Sequence, residues 1–294
     1  METALERLLT GPRTLRLTDG GVLRGRRLVT LVPGLEGDAL WWEHGRIRGV
    51  GRAGEIDRRA PPHLPRFDRP EALITPGFVD GHTHFAMWAL GRGRVRLTGA
   101  RSRAEALGRI ATGAPSRGWI LGHGWDANGW AERPDRYALD RVHANPVCLD
   151  SVDVHAAWVN SAALAVARIT RDTPDPPGGR IVRDAAGEPT GLLLERAVEL
   201  VTRVIPPPSN EILDEALREA QAEAHRLGVT GIHDVEDERA WAGFRRLEQA
   251  GDLELRVLFH PPVASLPDLV RRGQRSGAGS PWLGMGGVKL FLDG

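Results

Sequence analysis

The stretch LITPGFVDGHTHF, residues 73–85, decides how this chain is read. An apolar run is broken by Pro76 and Gly77, resumes at Phe78 and Val79, and ends on two histidines one residue apart. In a β-strand, residues i and i+2 face the same way. A strand carried through to this point therefore aims the imidazoles of His82 and His84 in one direction and turns Thr83 away. Gly77 and Gly81 permit close backbone approach nearby. Neutral imidazole is a common ligand for zinc and similar ions, and in a parallel α/β barrel the carboxyl ends of the strands line the active site. The pair reads as half of a metal site, although a bare H-x-H recurs by chance and two structural histidines satisfy the same pattern. Asp80 is either a carboxylate that orients a ligand imidazole or a turn-stabilising aspartate.

Upstream of this stretch the texture is β-rich. TLRLTDGGVLRGRRLVTLV (14–32) carries a DGG turn between alternating runs, and DALWWEHGRIRGVG (38–51) reads as a hairpin turning at His44-Gly45. RAPPHLPRFDRP (59–70) is a Pro-rich connection. Downstream, apolar runs alternate with helical patterns, with strands expected at 73–79, 118–123, 146–151, 229–234, 255–260 and 287–292. SNEILDEALREAQAEAHRLG (209–228) is the clearest helix, capped by Ser209 or Asn210 and ended by Gly228. Helix, glycine, then β-branched run is the rhythm of βα units around a parallel sheet. The expected fold is α/β: a partial TIM-like (β/α) barrel over 73–294, preceded by a β-rich segment over 1–72. Residues 125–208 break the rhythm with many Pro and Gly, and read as an inserted subdomain or long excursion.

The 294 residues are 41% hydrophobic and 26% charged, ordinary for a globular protein. A net charge of +1 gives no field for nucleic acid or anionic membrane, and no run reaches the ~18 apolar residues of a membrane span. The single cysteine, Cys148, excludes an internal disulfide framework and reads as a small buried residue. No basic-then-apolar export signal opens the chain, so a cytoplasmic location is expected. A small-molecule substrate is the expected partner, with self-association into a homo-oligomer left open.

The segments GHGWDANGW (122–130), LDSVDVHAAWVNSAAL (149–164), PDPPGGRIVRDAAGEPTGLLLERA (174–197), GVTGIHDV (228–235) and GGVKLFLDG (286–294), in this order around the histidine pair, resemble the amidohydrolase superfamily. More narrowly, they resemble its amidohydrolase 3 group of YtcJ-like proteins. The resemblance implies a metal-dependent hydrolase with a barrel and a small β-sandwich built from both chain ends, and a β-sandwich role for residues 1–72. His82, His84 and Lys289 would be its metal ligands. Lys289, the sole lysine, would be carboxylated by CO₂ to a carbamate; a snorkelling lysine near a strand end is the alternative. Zinc is the expected ion, though nitrogen and oxygen ligands also suit manganese, iron or nickel. The expected chemistry is hydrolysis of a non-peptide carbon–nitrogen bond, amide or cyclic amide, by a metal-activated water. The family's later histidines and its catalytic aspartate would lie beyond Gly294, so truncation and a catalytically inactive fragment are the competing expectation. A deaminase of the same superfamily is a third.

Other candidates divide between pocket and packing. Trp125 and Asp126 read as substrate contacts at a pocket mouth, or as a packed tryptophan with a loop-capping aspartate; His123 reads as structural. In VHAAWVNSAAL, His155 is a pocket candidate, and Asn160 or Ser161 caps the helix that follows. Glu195 faces a pocket or pairs locally at a helix start. His233 and Asp234 end a strand-like run where barrel sites are built, with a helix-capping role for Asp234 as the competing reading.

Overall fold

A computed structural model describes residues 19–290; the parts of the expected strands at 14–18 and 291–292 lie outside the described residues. The chain divides into two compact units, one running to Asp80 and including Ala224–Gly231, the other comprising Gly81–Glu223 and the residues from Ile232 onward.

The first unit holds a four-stranded sheet of β1 (Gly20–Leu28), β2 (Gly37–Glu43), β3 (Arg46–Gly51) and β4 (Arg66–Ile74), in the order β3-β2-β1-β4. β1 pairs antiparallel with β2 and parallel with β4. The β2–β3 hairpin turns on two residues, His44 (φ 51°) and Gly45 (φ 69°), the paired positive φ of the turn that matches strand twist. Val22, Ala39, Ile56 and Ala60 form its core. Of the expected DGG turn, Asp19 is a bend and Gly20 and Gly21 already belong to β1; the run before Asp19 lies outside the described residues. The small size of the two glycines serves packing, since a Cβ on Gly21 would meet the Trp42 ring at 2.5 Å.

The run expected as one strand at 73–79 is split. Leu73 and Ile74 finish β4, and β5 starts only at Phe78 and runs to Thr83. Pro76 has no N–H for a ladder, and Gly77 passes so close to Thr230 that a Cβ would sit 2.2 Å from its hydroxyl oxygen.

A six-stranded sheet follows, from β6 (Val95–Arg96), β7 (Ile120–Trp125), β8 (Val147–Ser151), β9 (Ala156–Val159), β10 (Gly179–Arg183) and β11 (Pro189–Glu195), ordered β10-β11-β9-β8-β7-β6. β6, β7 and β8 are parallel; β8, β9, β11 and β10 pair antiparallel. Residues 125–208 thus supply four of its strands. Alternation along β8 and β9 sends Cys148, Ala157 and Val159 into one apolar cluster and Val147, Leu149 and Trp158 into another.

The last sheet contains β12 (Val229–Asp234), β13 (Arg256–Phe259) and β14 (Leu283–Met285), in the order β14-β13-β12-β5. The helix Asn210–Arg226 leads into β12, and the helix Glu238–Ala250 joins β12 to β13. Asp237 caps the latter by accepting the Arg239 and Ala240 N–H groups, and Gly251 at φ 78° ends it. The fold is mixed α/β with open sheets; no sheet closes into a barrel among the described residues. No helix among them is long and apolar enough to cross a membrane.

Candidate metal and substrate site

Backbone hydrogen bonds tie the carboxyl ends of three strands of the last sheet together. Val235 N–H donates to Thr83 O at 2.8 Å, and His260 N–H to Asp234 O at 2.7 Å. The chain then returns to this edge through Gly286, whose N–H donates to Phe259 O at 2.7 Å, and Lys289, whose N–H donates to Pro261 O at 2.7 Å. His82, His84, His233, Asp234, His260 and Lys289 therefore all come from strand ends of one sheet or from the segments bonded to them.

His82 is exposed within β5, and His84 is half-buried just past it, as the residue preceding the helix Phe85–Arg92. Their ring centroids lie 5.5 Å apart with planes at 64°. Strand alternation places only the first; the second owes its direction to the strand-to-helix transition, at φ −116°. A second pair, His233 and His260, was not visible as a pair in the sequence. These rings are stacked at 5.3 Å, with His260 Nε2 3.3 Å from His233 Nδ1. The available signal was positional: His260 ends the apolar run RVLFH as His233 ends VTGIH.

Two carboxyls hold the amino end of the helix that follows His84. Asp234 Oδ1 accepts the Phe85 N–H at 2.8 Å and the Thr83 hydroxyl at 3.4 Å. Glu236 accepts the N–H groups of Ala86 at 2.7 Å and Met87 at 2.9 Å. Together they satisfy the donors that open a helix. Asp234 is wholly buried, and among the described residues its Oδ2 accepts no hydrogen bond. Burial, with the neighbouring Glu236 carboxyl, pushes Asp234 up to about 8; burial also pushes Glu236 up. Asp234 does cap a helix, but the one after β5, not the one after its own strand.

Lys289 is half-buried and lies outside the named strands, in an isolated parallel bridge with Pro262. Of the strand expected at 287–292, the described residues 287–290 carry only this bridge, and β14 pairs with β13 a few residues earlier.

The remaining candidates lie around the six-stranded sheet. Trp125 is buried in the core, donating its indole N–H to Leu149 O at 2.8 Å and meeting Trp158 edge-on. Asp126 is exposed and accepts the Asn128 N–H. His155 and Glu195 are exposed and joined, Nδ1 to Oε2 at 3.0 Å, and that hydrogen bond holds the His155 imidazole above its ordinary range. Glu195 (φ 51°) and Val154 (φ 59°) take the left-handed backbone that non-glycine residues avoid. Asn160, not Ser161, caps the helix Ser161–Val166. Cys148 is buried, and burial pushes its thiol up, which makes it inert.

For a divalent cation, the donors fit in kind: His82 and His84 offer neutral imidazole nitrogen from one strand end. Two donors alone are fewer than the three or four protein ligands of a zinc site. Among the described residues no three His, Cys, Asp or Glu side chains gather to hold a metal ion.

Residues 71–294 match the model of the amidohydrolase family. The chain is 33% identical over 284 residues to the putative amidohydrolase YtcJ of Bacillus subtilis, covering 88% of this chain and 51% of that protein. It is 36% identical over 165 residues to the N-substituted formamide deformylase of Arthrobacter pascens, covering 53% of this chain and 30% of that protein. An uncharacterized metal-dependent hydrolase from Pyrococcus horikoshii OT3 superposes with a TM-score of 0.74 at 25% identity, over 94% of this chain and 55% of its own. The chain spans about half the length of the Bacillus relative. With the family model covering most of its length, the chain belongs to the amidohydrolase family.

Proposed function

We propose that this chain carries the first part of a metal-dependent hydrolase site acting on non-peptide carbon–nitrogen bonds, in amides or cyclic amides. The observation that carries the reading is the side-by-side pair His82 and His84 at the carboxyl end of β5, in a chain of the amidohydrolase family. His82 and His84 hold the ion, zinc by preference of the imidazoles. Lys289, which returns to the same edge through its bond to Pro261, joins them as its carbamate. A bound divalent metal lowers the pKa of water and polarises a carbonyl.

The protein's own groups do the rest. Asp234 and Glu236 pin the helix that begins beside His84, which fixes the backbone from which that imidazole projects. His233, at the end of the adjacent strand, contacts substrate. The exposed His155–Glu195 pair presents a second imidazole, whose Nε2 is directed to substrate because Nδ1 is engaged by the carboxylate. N-substituted formamides are the first substrates to test, since a relative is named for deformylating them.

Metal analysis of the purified chain tests the ligand assignment. Bound zinc near one ion per chain, lost in His82→Ala and in His84→Ala, is expected; metal content unchanged in both variants would reject these ligands.

A further inference from the structure

The second histidine pair has a direction that hydrogen-bond chemistry alone determines. His260 Nδ1 lies 3.0 Å from the carbonyl oxygen of Gly287, and His260 Nε2 lies 3.3 Å from His233 Nδ1. A carbonyl oxygen only accepts, so His260 carries its proton on Nδ1. In the neutral ring this leaves a lone pair on Nε2, which must be met by a donor. His233 Nδ1 is that donor, and neutral His233 then has its own lone pair on Nε2. Among the described residues nothing is hydrogen-bonded to that nitrogen.

The arrangement depends on one glycine. A Cβ on Gly286 would lie 2.5 Å from His260 Cε1 and 2.6 Å from His260 Nδ1, closer than carbon atoms approach. The bare backbone at 286 is the cradle in which the His260 ring lies flat enough to reach both Gly287 O and His233. The His260 N–H to Asp234 O bond, one residue beyond His233, fixes the same register from the backbone side.

We propose that His260 is a positioning residue that orients His233 with its proton on Nδ1, so that His233 Nε2 accepts a hydrogen bond from an N–H of a small amide substrate. The tautomer and ring orientation stand on the geometry of the pair. Only the choice of an amide N–H as the bound donor rests on the hydrolase reading. A site built to accept from an N–H favours secondary over fully substituted amides, because the latter leave the imidazole lone pair unmet.

Long-range proton–nitrogen spectra of the ¹⁵N-labelled full chain, free of metal and about two pH units above the ordinary imidazole range, read the tautomers directly. The expected result is the Nδ1–H pattern for both His233 and His260. In His260→Phe, which keeps a flat ring but neither hydrogen bond, His233 reverts toward the Nε2–H form that free side chains favour. In His260→Gln, whose amide can donate to Gly287 O and accept from His233, it keeps Nδ1–H. An Nε2–H pattern for His233 in the unsubstituted chain, or no change in His260→Phe, overturns the positioning role, and the unsubstituted chain decides alone if the variant does not fold. N-methylformamide then shifts the His233 Nε2 resonance, whereas N,N-dimethylformamide, which lacks an N–H, does not. An equal response to both, or none to either, overturns the acceptor role. Neither readout uses metal content or turnover, so failure here is separate from failure of the hydrolase assignment.

Discussion

In the six-stranded sheet, β7, β8 and β9 are buried almost residue after residue, with apolar clusters on both faces. β5, in the other sheet of the same βα region, is exposed along nearly its whole length, with Phe78 at 61% and Val79 at 63%. The same residue types do different work in these two places. In the first, polar atoms are consumed by structure: the Trp125 indole and all four hydrogen bonds of the Asn160 amide end on backbone. In the second, the strand carries exposed side chains, and His82 within it is exposed.

The contrast breaks first at Trp158. This side chain is fully buried, donates to Asp135 O at 2.9 Å, and packs edge-on against Trp125 and Trp130. Trp158→Ala is expected to lose about 3–5 kcal/mol, read as a shift of the urea midpoint, while Phe78→Ala in β5 changes stability by less than about 1 kcal/mol. Equal losses at the two positions would remove the distinction between the sheets. Asn160 sharpens it. Its Oδ1 accepts the N–H groups of Val147 at 2.9 Å and Ala163 at 3.0 Å, and its Nδ2 donates to Asn145 O at 2.9 Å. Asn160→Ala removes a helix cap and leaves a buried strand N–H unmet, together about 2–4 kcal/mol. Retention of the original midpoint in that variant would mean water replaces the amide.

Asp234 is the scaffold group of the site sheet, and its signature is a pH slope. Burial and Glu236 raise its folded value to about 8, against 3.8 for an ordinary aspartate. The folded state therefore holds a proton that the unfolded state has released through this window. A raised carboxyl contributes stability that is present below the unfolded value and is lost as pH rises toward 8. The slope is at most about 1.4 kcal/mol per pH unit. Asp234→Asn keeps an oxygen for the Phe85 N–H and offers Glu236 an N–H, so its stability between pH 4 and 8 should be flatter than that of the unsubstituted chain. Parallel denaturation curves for the two across this range would show that the carboxyl is not the titrating group.

How much of this was legible before folding depends on what kind of rule wrote it. β12 matches its expected bounds, 229–234, since a capped helix, a glycine and a β-branched run constrain each other locally. The His44-Gly45 turn was equally local. The four strands within 125–208 were not all visible, because β9, β10 and β11 are short and pair antiparallel at long range amid Pro and Gly, where no helix marks the interval. His82 and His84 stood out through spacing on one strand. His260 did not, because its partner lies 27 residues away and its cradle is a glycine whose role is steric. The division of labour between Asp234 and Glu236 was hidden for the same reason: they cap a helix that starts about 150 residues earlier.

The smallest effect is the most informative about the exposed imidazole of the six-stranded sheet. His155 sits between Val154 at φ 59° and, through the bond from Glu195 N–H to its own carbonyl at 2.7 Å, Glu195 at φ 51°. A β-branched residue in the left-handed region is a true outlier, costing about 1–3 kcal/mol. Val154 is 74% exposed, so packing does not repay it. What the strained turn does achieve is to bring His155 Nδ1 onto Glu195, a pairing that strengthens below the raised imidazole value and weakens as pH rises through it. Val154→Gly should therefore raise stability by about 1 kcal/mol in urea unfolding, and should broaden the His155 ring resonances as the turn loosens. A stability gain with a loosened imidazole fits backbone strain held for the sake of an exposed contact. A loss of stability on the same substitution would mean that the valine side chain, not the histidine pair, is what this turn exists to place.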